Sequence, residues 1–176
     1  SYNIQAAVDD KHNLVVATHT INRNDKNALS AIALEAKENL EVETFTVLVD
    51  KGYHNGREIE TCKNNNITTI VAAPDQGKSN ENGTQPDYLV SKFIYNKENN
   101  TYTCPQGQTL TTSGSWHKKT RDGDNTSYMF QKYRTPACRT CPVKDQCTSR
   151  KGGREIDRSQ YADAVEENHK RYQANP

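Results

Sequence analysis

Four of the five cysteines have a spacing that is typical of a metal site. Cys138, Cys141 and Cys147 fall within ten residues, and Cys104 precedes them at the start of a Cys-Pro-x-Gly turn. Four thiolates can complete a tetrahedral zinc site, and metal binding contributes folding free energy to a segment with little apolar core. The spacing therefore predicts a structural zinc ion held by these four cysteines.

The cysteine pattern leaves other interpretations open. The same spacing resembles the iron-sulfur staple of certain nucleases, and four reduced thiols without a metal would also fit it. His117 would be the substitute ligand for one of the thiolates. Cys62 has no cysteine neighbour at ligand spacing, which predicts a small residue of the core.

Asp50 is the carboxylate best placed to do chemistry. It follows the short apolar run 44–49 and precedes Lys51, Gly52 and Tyr53. Proteins of the α/β class place catalytic groups beyond the carboxyl ends of their strands. Lys51 and Tyr53 would then offer a charge and a hydroxyl to a phosphate, and the alternative is that Asp50 only caps the next turn.

The elements that must position Asp50 can be inferred from periodicity. Residues 2–8 and 14–21 are rich in β-branched side chains and predict a hairpin. Apolar residues recur at helical spacing over 26–40, with Asn24 or Asp25 as the N-cap.

A strand at 44–49, a helix at 56–65 and a strand at 67–73 then predict a parallel crossover. Asn55 and Glu58 resemble a capping box at the start of that helix. The fold class is therefore α/β, with one mixed sheet that joins the antiparallel hairpin to the parallel crossover.

Charge separates the next part of the chain from the first. Residues 1–100 carry 10 Lys and Arg against 14 Asp and Glu, whereas residues 101–154 carry 10 against 3. We predict an α/β core at 1–74, a basic, loop-rich β insert at 75–154 with turns at 97–100 and 122–125, and a C-terminal helix within 155–176.

Cations and aromatic side chains mix within the basic insert. Such a mixture can bind nucleic acid, because cations neutralise phosphates and aromatic rings stack on bases. A solvated basic face without a ligand is the alternative. The candidate DNA contacts are Trp116, Lys118, Lys119, Arg121, Lys132, Tyr133, Arg134 and Arg139.

Composition excludes some classes of protein. The chain has 176 residues, 32% of them hydrophobic, a mean hydropathy of -1.01 and a net charge of +1. No apolar run approaches the roughly 18 residues of a membrane span, and no signal peptide is evident. We expect a globular, intracellular protein without a membrane partner.

Several short motifs together resemble the DDE transposases of bacterial insertion sequences. The first three are Tyr2 to Asp9, Asn22 to Asp25, and Leu48 to Tyr53. The stretch 102–110 and the cluster from Cys138 to Cys147 are similar to the cysteine-bearing insert of one branch of that family.

The resemblance implies an RNase H-like fold, here partial and without its first strand. In that family two Asp and one Glu hold two Mg²⁺ or Mn²⁺ ions that act on a DNA phosphodiester. Asp50 corresponds to the second acid, and Asp9 is a weaker candidate for a metal ligand. The first acid is expected before Tyr2 and the third beyond Pro176, so the chain is expected to be a central fragment that does not cleave DNA alone.

The resemblance also implies transposon-end DNA as the partner, a homo-oligomeric full-length protein and a bacterial cytoplasmic location near the nucleoid. Two other functions remain open at this stage. One is a non-catalytic nucleic-acid-binding module, and the other is a nuclease-like domain with an iron-sulfur staple.

Overall fold

A computed structural model describes residues 2–22, 25–74, 84–120 and 126–175. The chain divides into two compact units. The first unit comprises Ser1–Pro74 and Tyr161–Pro176, and the second comprises Asp75–Gln160. The boundaries predicted from composition, at 74 and 154, remain predictions.

The described segments contain short strands and helices of both units. In chain order they are β1 (Asn3–Val8), β2 (Val15–Ile21), α1 (Leu29–Asn39), β3 (Phe45–Val49), α2 (Gly56–Asn64), β4 (Ile67–Val71), β5 (Ile94–Asn96), β6 (Thr101–Thr103), β7 (Thr109–Leu110), β8 (His117–Thr120), β9 (Ser127–Tyr133), α3 (Lys144–Cys147), β10 (Ile156–Ser159) and α4 (Ala162–Ala174).

The first unit begins with the predicted hairpin. β1 and β2 pair antiparallel, with Asn3 opposite Ile21. α1 packs against this hairpin through a small cluster of buried side chains, because Ile32 and Ala36 fall on one helix face and meet Ala17 of β2.

The predicted crossover is also present in the first unit. β3 and β4 pair parallel, with Phe45 opposite Ile67, and α2 connects them. Leu29, Ile59 and Val71 lie in the shared core, and for Leu29 this confirms the burial expected from the helical spacing of apolar residues over 26–40. The prediction of one mixed sheet is wrong, because β1 and β2 form one two-stranded sheet and β3 and β4 form another.

Two predicted helix caps differ from the observed ones. Ala28 is the N-cap residue of α1, so Asp25 does not cap it, and Asn24 lies outside the described residues. Asn55 caps α2 by accepting a hydrogen bond from the Arg57 N–H at 3.1 Å. Glu58 does not complete a capping box there, since its carboxylate accepts hydrogen bonds from the backbone and hydroxyl of Ser30 in α1.

The described part of the second unit contains two three-stranded antiparallel sheets, ordered β5-β6-β7 and β10-β9-β8. The predicted turn at 97–100 joins β5 to β6, while the predicted turn at 122–125 lies outside the described residues. β10 was missed by the sequence analysis. It contributes Arg158, whose guanidinium lies 3.6 Å from the centre of the Tyr95 ring and donates a hydrogen bond to the Tyr102 hydroxyl.

No helix in the described segments is long and apolar enough to cross a membrane.

Candidate functional site

Asp50 directly follows β3, as the sequence predicted. Its carboxylate is exposed, and its Oδ1 accepts a hydrogen bond of 2.8 Å from the backbone N–H of Gly52. This bond starts the short 3-10 helix Lys51–Tyr53, so the capping role exists. One carboxylate oxygen remains for another ligand, which means that capping and catalysis do not exclude each other.

A second carboxylate, that of Asp25, lies beside Asp50; the sequence analysis treated it as a candidate helix cap and as the end of a short motif, not as a partner of Asp50. Asp25 Oδ1 accepts hydrogen bonds from the side-chain amides of Asn3 and Gln5, both on β1. Asp25 Oδ2 and Asp50 Oδ1 both face the space beside Gly52: a Cβ at that residue would lie 3.4 Å and 3.0 Å from them. The fold thus brings together two acids that are 25 residues apart in sequence.

The pKa of Tyr53 is affected by both acids. Burial raises the pKa of its hydroxyl, and the carboxylates of Asp25 and Asp50 raise this pKa further. Tyr53 is half-buried and packs against the core of the first unit, whereas Lys51 is exposed.

Asp9 has a local structural partner. Its carboxylate accepts hydrogen bonds from the backbone N–H groups of His12 and Lys11, at 2.7 Å and 3.4 Å. These bonds organise the hairpin turn between β1 and β2. A metal-binding role for Asp9 stays a prediction.

The four cysteines singled out by their spacing line one cavity of the second unit. The cavity has a volume of about 30 Å³, and its wall includes Cys104, Cys138, Cys141, Cys147 and Arg154. Burial raises the pKa of the Cys147 thiol; Arg154 opposes this shift and the thiols of Cys138, Cys104 and Cys141 add to it. His117 does not line this cavity.

A backbone N–H and two glycines shape the chain around Cys104 and Cys138 of the cavity. The N–H of Gln108 donates to Cys104 Sγ at 3.4 Å, at the end of a turn in which Gly107 has a φ of +74°. Gly153 has a φ of +94°, and a Cβ there would lie 2.4 Å from the Cβ of Cys138. Only glycine fits at 153, which the sequence analysis did not recognise.

No group of three or more His, Cys, Asp or Glu side chains within the described ranges is arranged to hold a metal ion. The structure therefore lends no support to zinc or to an iron-sulfur cluster beyond the shared cavity. Cys62 is fully buried in the first unit, as predicted, and burial together with Glu58 raises the pKa of its thiol to about 12.

Two of the candidate DNA contacts, Lys118 and Lys119, are neighbours on β8. β8 pairs with β9 so that His117 lies opposite Phe130, Lys118 opposite Met129 and Lys119 opposite Tyr128. Because successive side chains of a strand point to opposite faces, Lys118 and Lys119 project from different sides of this sheet.

Two of the predicted cations are paired within the protein. Lys132 and Arg134 both contact the carboxylate of Glu155, as does Arg150, and the Lys132 Nζ to Glu155 Oε1 distance is 3.0 Å. Burial opposes ionisation, but the hydrogen bonds from Arg150 and Lys132 and the charge of Arg134 lower the pKa of Glu155 to about 2. These partners weaken the case for Lys132 and Arg134 as DNA contacts.

The remaining candidates differ in exposure. Trp116 and Arg139 are exposed, the former by 52%. Tyr133, expected on the hairpin surface, is only 1% exposed and packs in the core of the second unit, so that expectation is wrong. Arg121 lies outside the described residues.

Comparison with known families gives one match for the second half of the chain. Residues 103–176 match the family model described as "Transposase DDE domain". This part of the chain is similar to a transposase DDE domain. No curated protein and no solved structure matches the chain.

The match to the transposase DDE domain includes all four clustered cysteines and the basic strands, but not Asp50. It confirms the resemblance to DDE transposases.

Proposed function

We propose that this chain is the central part of an insertion-sequence DDE transposase with an RNase H-like core, and that Asp50 is one of its catalytic acids. The observation that carries the proposal is the position of Asp50. It lies at the carboxyl end of a parallel strand pair in a chain that also matches the transposase DDE domain. Catalytic groups of open α/β sheets lie in that place.

The chemistry of Asp50 fits a divalent metal ion. Carboxylate oxygens are the hard ligands that Mg²⁺ prefers, and the Gly52 N–H holds Oδ1 while Oδ2 stays available. When bound, the cations would stabilise the attacking and leaving oxygens of a phosphodiester displacement. Asp50 itself would position one cation, and the exposed Lys51 would lie close to the DNA backbone.

The test is DNA cleavage by the natural protein that contains this chain. Asp50→Asn should lower the Mg²⁺-dependent cleavage rate by roughly 100-fold or more, because bound metal stabilises the transition state by several kcal/mol. Asp10→Asn, which removes an exposed carboxylate of the hairpin turn, is the matched control and should leave the rate unchanged. Equal rates for Asp50→Asn and the control would refute the proposal.

A DNA-binding role for the second unit is the second candidate. The exposed Lys119 shares a sheet face with two aromatic residues of β9, Tyr128 and Phe130. Cations beside aromatic rings suit a nucleic acid backbone and its bases. If Asp50→Asn left the DNA cleavage rate unchanged, this face would support the alternative function of a non-catalytic nucleic-acid-binding module.

We propose further that the cysteine cavity binds zinc. The shared cavity, the mutual effect of the thiols on the Cys147 pKa and the N–H donor to Cys104 support this proposal. The thiols would have to turn towards one another on binding, since they do not form a metal group as they stand. Thiolates, once deprotonated, are the ligands that zinc prefers.

Elemental analysis of freshly purified protein tests the zinc proposal. We expect about one zinc per chain, lost in Cys104→Ser and kept in the control Cys62→Ala, and a colourless protein. If the protein instead contained iron and absorbed visible light, the cysteines would hold an iron-sulfur cluster. That result would favour the nuclease-like alternative. Protein without metal would refute both.

Three further expectations stay predictions: that the 176-residue chain alone does not cleave DNA, that the natural protein is a homo-oligomer, and that it acts on transposon ends in the bacterial cytoplasm.

A further inference from the structure

Four free thiols surround one small cavity of the second unit. Cys104, Cys138, Cys141 and Cys147 all line it, and its volume is about 30 Å³. All four cysteines are half-buried, whereas Cys62 is fully buried in the first unit. Neighbouring thiols that a small oxidant can reach are suited to form a disulfide.

Cys138 and Cys141 have the backbone spacing of a disulfide. Cys138 lies in the short 3-10 helix Pro136–Thr140, and this helix ends at Cys141. A 3-10 helix rises about 2 Å per residue and places side chains three residues apart on the same side, so the two Cα atoms should lie about 6 Å apart. Disulfides join residues whose Cα atoms are about 4.4 to 6.8 Å apart.

The other two cysteines of the cavity are held in separate elements. The Sγ of Cys104 accepts a hydrogen bond of 3.4 Å from the Gln108 N–H, in the turn between β6 and β7, while Cys147 ends α3. Both cysteines pack against the buried cluster that includes Leu110 and Tyr133. A disulfide to either of them has to join two elements, so we expect the pair within one turn to react first.

We propose that Cys138 and Cys141 are the site of a reversible disulfide that a peroxide forms. The sulfur of one cysteine attacks an oxygen of hydrogen peroxide, the O–O bond breaks, and a sulfenic acid and one water result. The sulfur of the other cysteine then attacks the sulfenic sulfur, so that the S–S bond forms, the S–O bond breaks and a second water leaves with the thiol proton. Two thiols are oxidised and one peroxide is reduced to two waters. A dithiol reductant reverses the reaction by thiol–disulfide exchange.

This modification site goes beyond the proposed function and does not depend on Asp50. It affects the zinc that we propose for the same cavity, because sulfurs joined in a disulfide are no longer thiolate ligands. The disulfide and a four-cysteine zinc site therefore exclude each other, and oxidation should release the zinc.

The test is peptide mapping of the 176-residue chain after treatment with hydrogen peroxide, with the remaining thiols blocked by N-ethylmaleimide. Trypsin cleaves after Arg139, between Cys138 and Cys141, and each of the five cysteines falls in a separate tryptic peptide. We expect peptides 135–139 and 140–144 to stay joined until a reductant is added, and the thiols per chain to fall from five to three. Five unreacted thiols, or peptides joined through Cys104 or Cys147 instead, would overturn the inference.

Cysteine variants test the same pair independently. Cys138→Ser and Cys141→Ser should each abolish the joined peptides, while Cys104→Ser, a substitution in the same cavity, should still form them. Cys62→Ala should form them like the wild type. Circular dichroism checks that each variant is folded. A joined pair that disappears in Cys104→Ser would contradict the assignment to Cys138 and Cys141.

Zinc content, measured on the same samples before and after peroxide, separates this inference from the zinc proposal. A disulfide between Cys138 and Cys141 in a protein that never contained zinc supports the inference and refutes the zinc proposal alone. Zinc that stays bound while all five thiols survive peroxide refutes the inference and leaves the zinc proposal intact. Zinc that is released as the disulfide forms supports both.

Discussion

The side-chain amide of Asn168 forms two hydrogen bonds with the backbone of Val71. The Val71 N–H donates to Asn168 Oδ1, and Asn168 Nδ2 donates to the Val71 carbonyl, each at 2.9 Å. Asn168 is 1% exposed on α4, and Val71 ends β4. Arg171, one turn later on the helix, donates to the Thr69 carbonyl. The last helix thus satisfies backbone groups of a strand almost 100 residues away.

Asn168→Ala should therefore destabilise the first unit. It leaves a buried N–H and a buried carbonyl of Val71 without partners, and we expect a loss of at least about 2 kcal/mol in the free energy of unfolding. Denaturant unfolding followed by circular dichroism measures this loss. Asn175→Ala removes an exposed amide from the end of the same helix and should cost less than about 0.5 kcal/mol. Equal losses would show that the pair with Val71 is not important for stability.

The network around Glu155 should make stability depend on pH. The pKa of this carboxyl falls from 4.5 to about 2 in the folded protein, so its contribution is present above pH 4.5 and is lost as the pH falls from there towards 2. Glu155→Gln should flatten the decline of the unfolding free energy in this range. Asp157→Asn, an exposed carboxylate on β10, should retain the wild-type decline. The prediction fails if both variants follow the wild-type curve.

Gly153→Ala should disrupt the cysteine cavity. The added Cβ would collide with Cys138, and the φ of +94° is unfavourable for alanine, so we expect a destabilisation of roughly 1 to 3 kcal/mol. Gly152→Ala is the neighbouring control, because a Cβ there meets no atom within 4 Å. Thermal unfolding and zinc content should both fall for Gly153→Ala alone. If Gly153→Ala kept the wild-type zinc content, Gly153 would not be needed for the zinc site.

Salt dependence of DNA binding should distinguish the two faces of β8. Lys119→Gln should weaken duplex binding and lower the slope of log affinity against log salt by about 0.9, because one phosphate contact is lost. Lys118→Gln changes the same charge on the opposite face and should have a smaller effect. Lys132→Gln should also have a smaller effect, since that lysine already pairs with Glu155. Fluorescence anisotropy at several salt concentrations measures all three, and equal slopes would contradict the assignment of a face.

Elements with a clear local pattern could be predicted from the sequence. The hairpin, α1, α2 and the parallel pair β3 and β4 all appear within a few residues of their expected limits. The apolar periodicity of each element indicates which of its sides is buried. This periodicity is a local property of the sequence. The place of Asp50 after β3 follows from the same pattern.

The buried face of β1 could not be predicted from the sequence pattern. Alternation assigns Asn3 and Gln5 to one face and Ile4 to the other, and the apolar Ile4 would be expected inside. Instead Ile4 is 74% exposed and Gln5 is buried against Asp25. Which face is covered depends on what packs there, and the alternation itself contains no information about that.

The sequence by itself determined the local elements, the position of Asp50 at a strand end and the shared spacing of four cysteines. The tertiary structure decided which distant groups meet: Asp25 with Asp50, Glu155 with Lys132 and Arg134, and Gly153 with Cys138. Each of these contacts joins residues that only packing brings together, and their charges and contacts act over a few ångströms of space rather than along the chain.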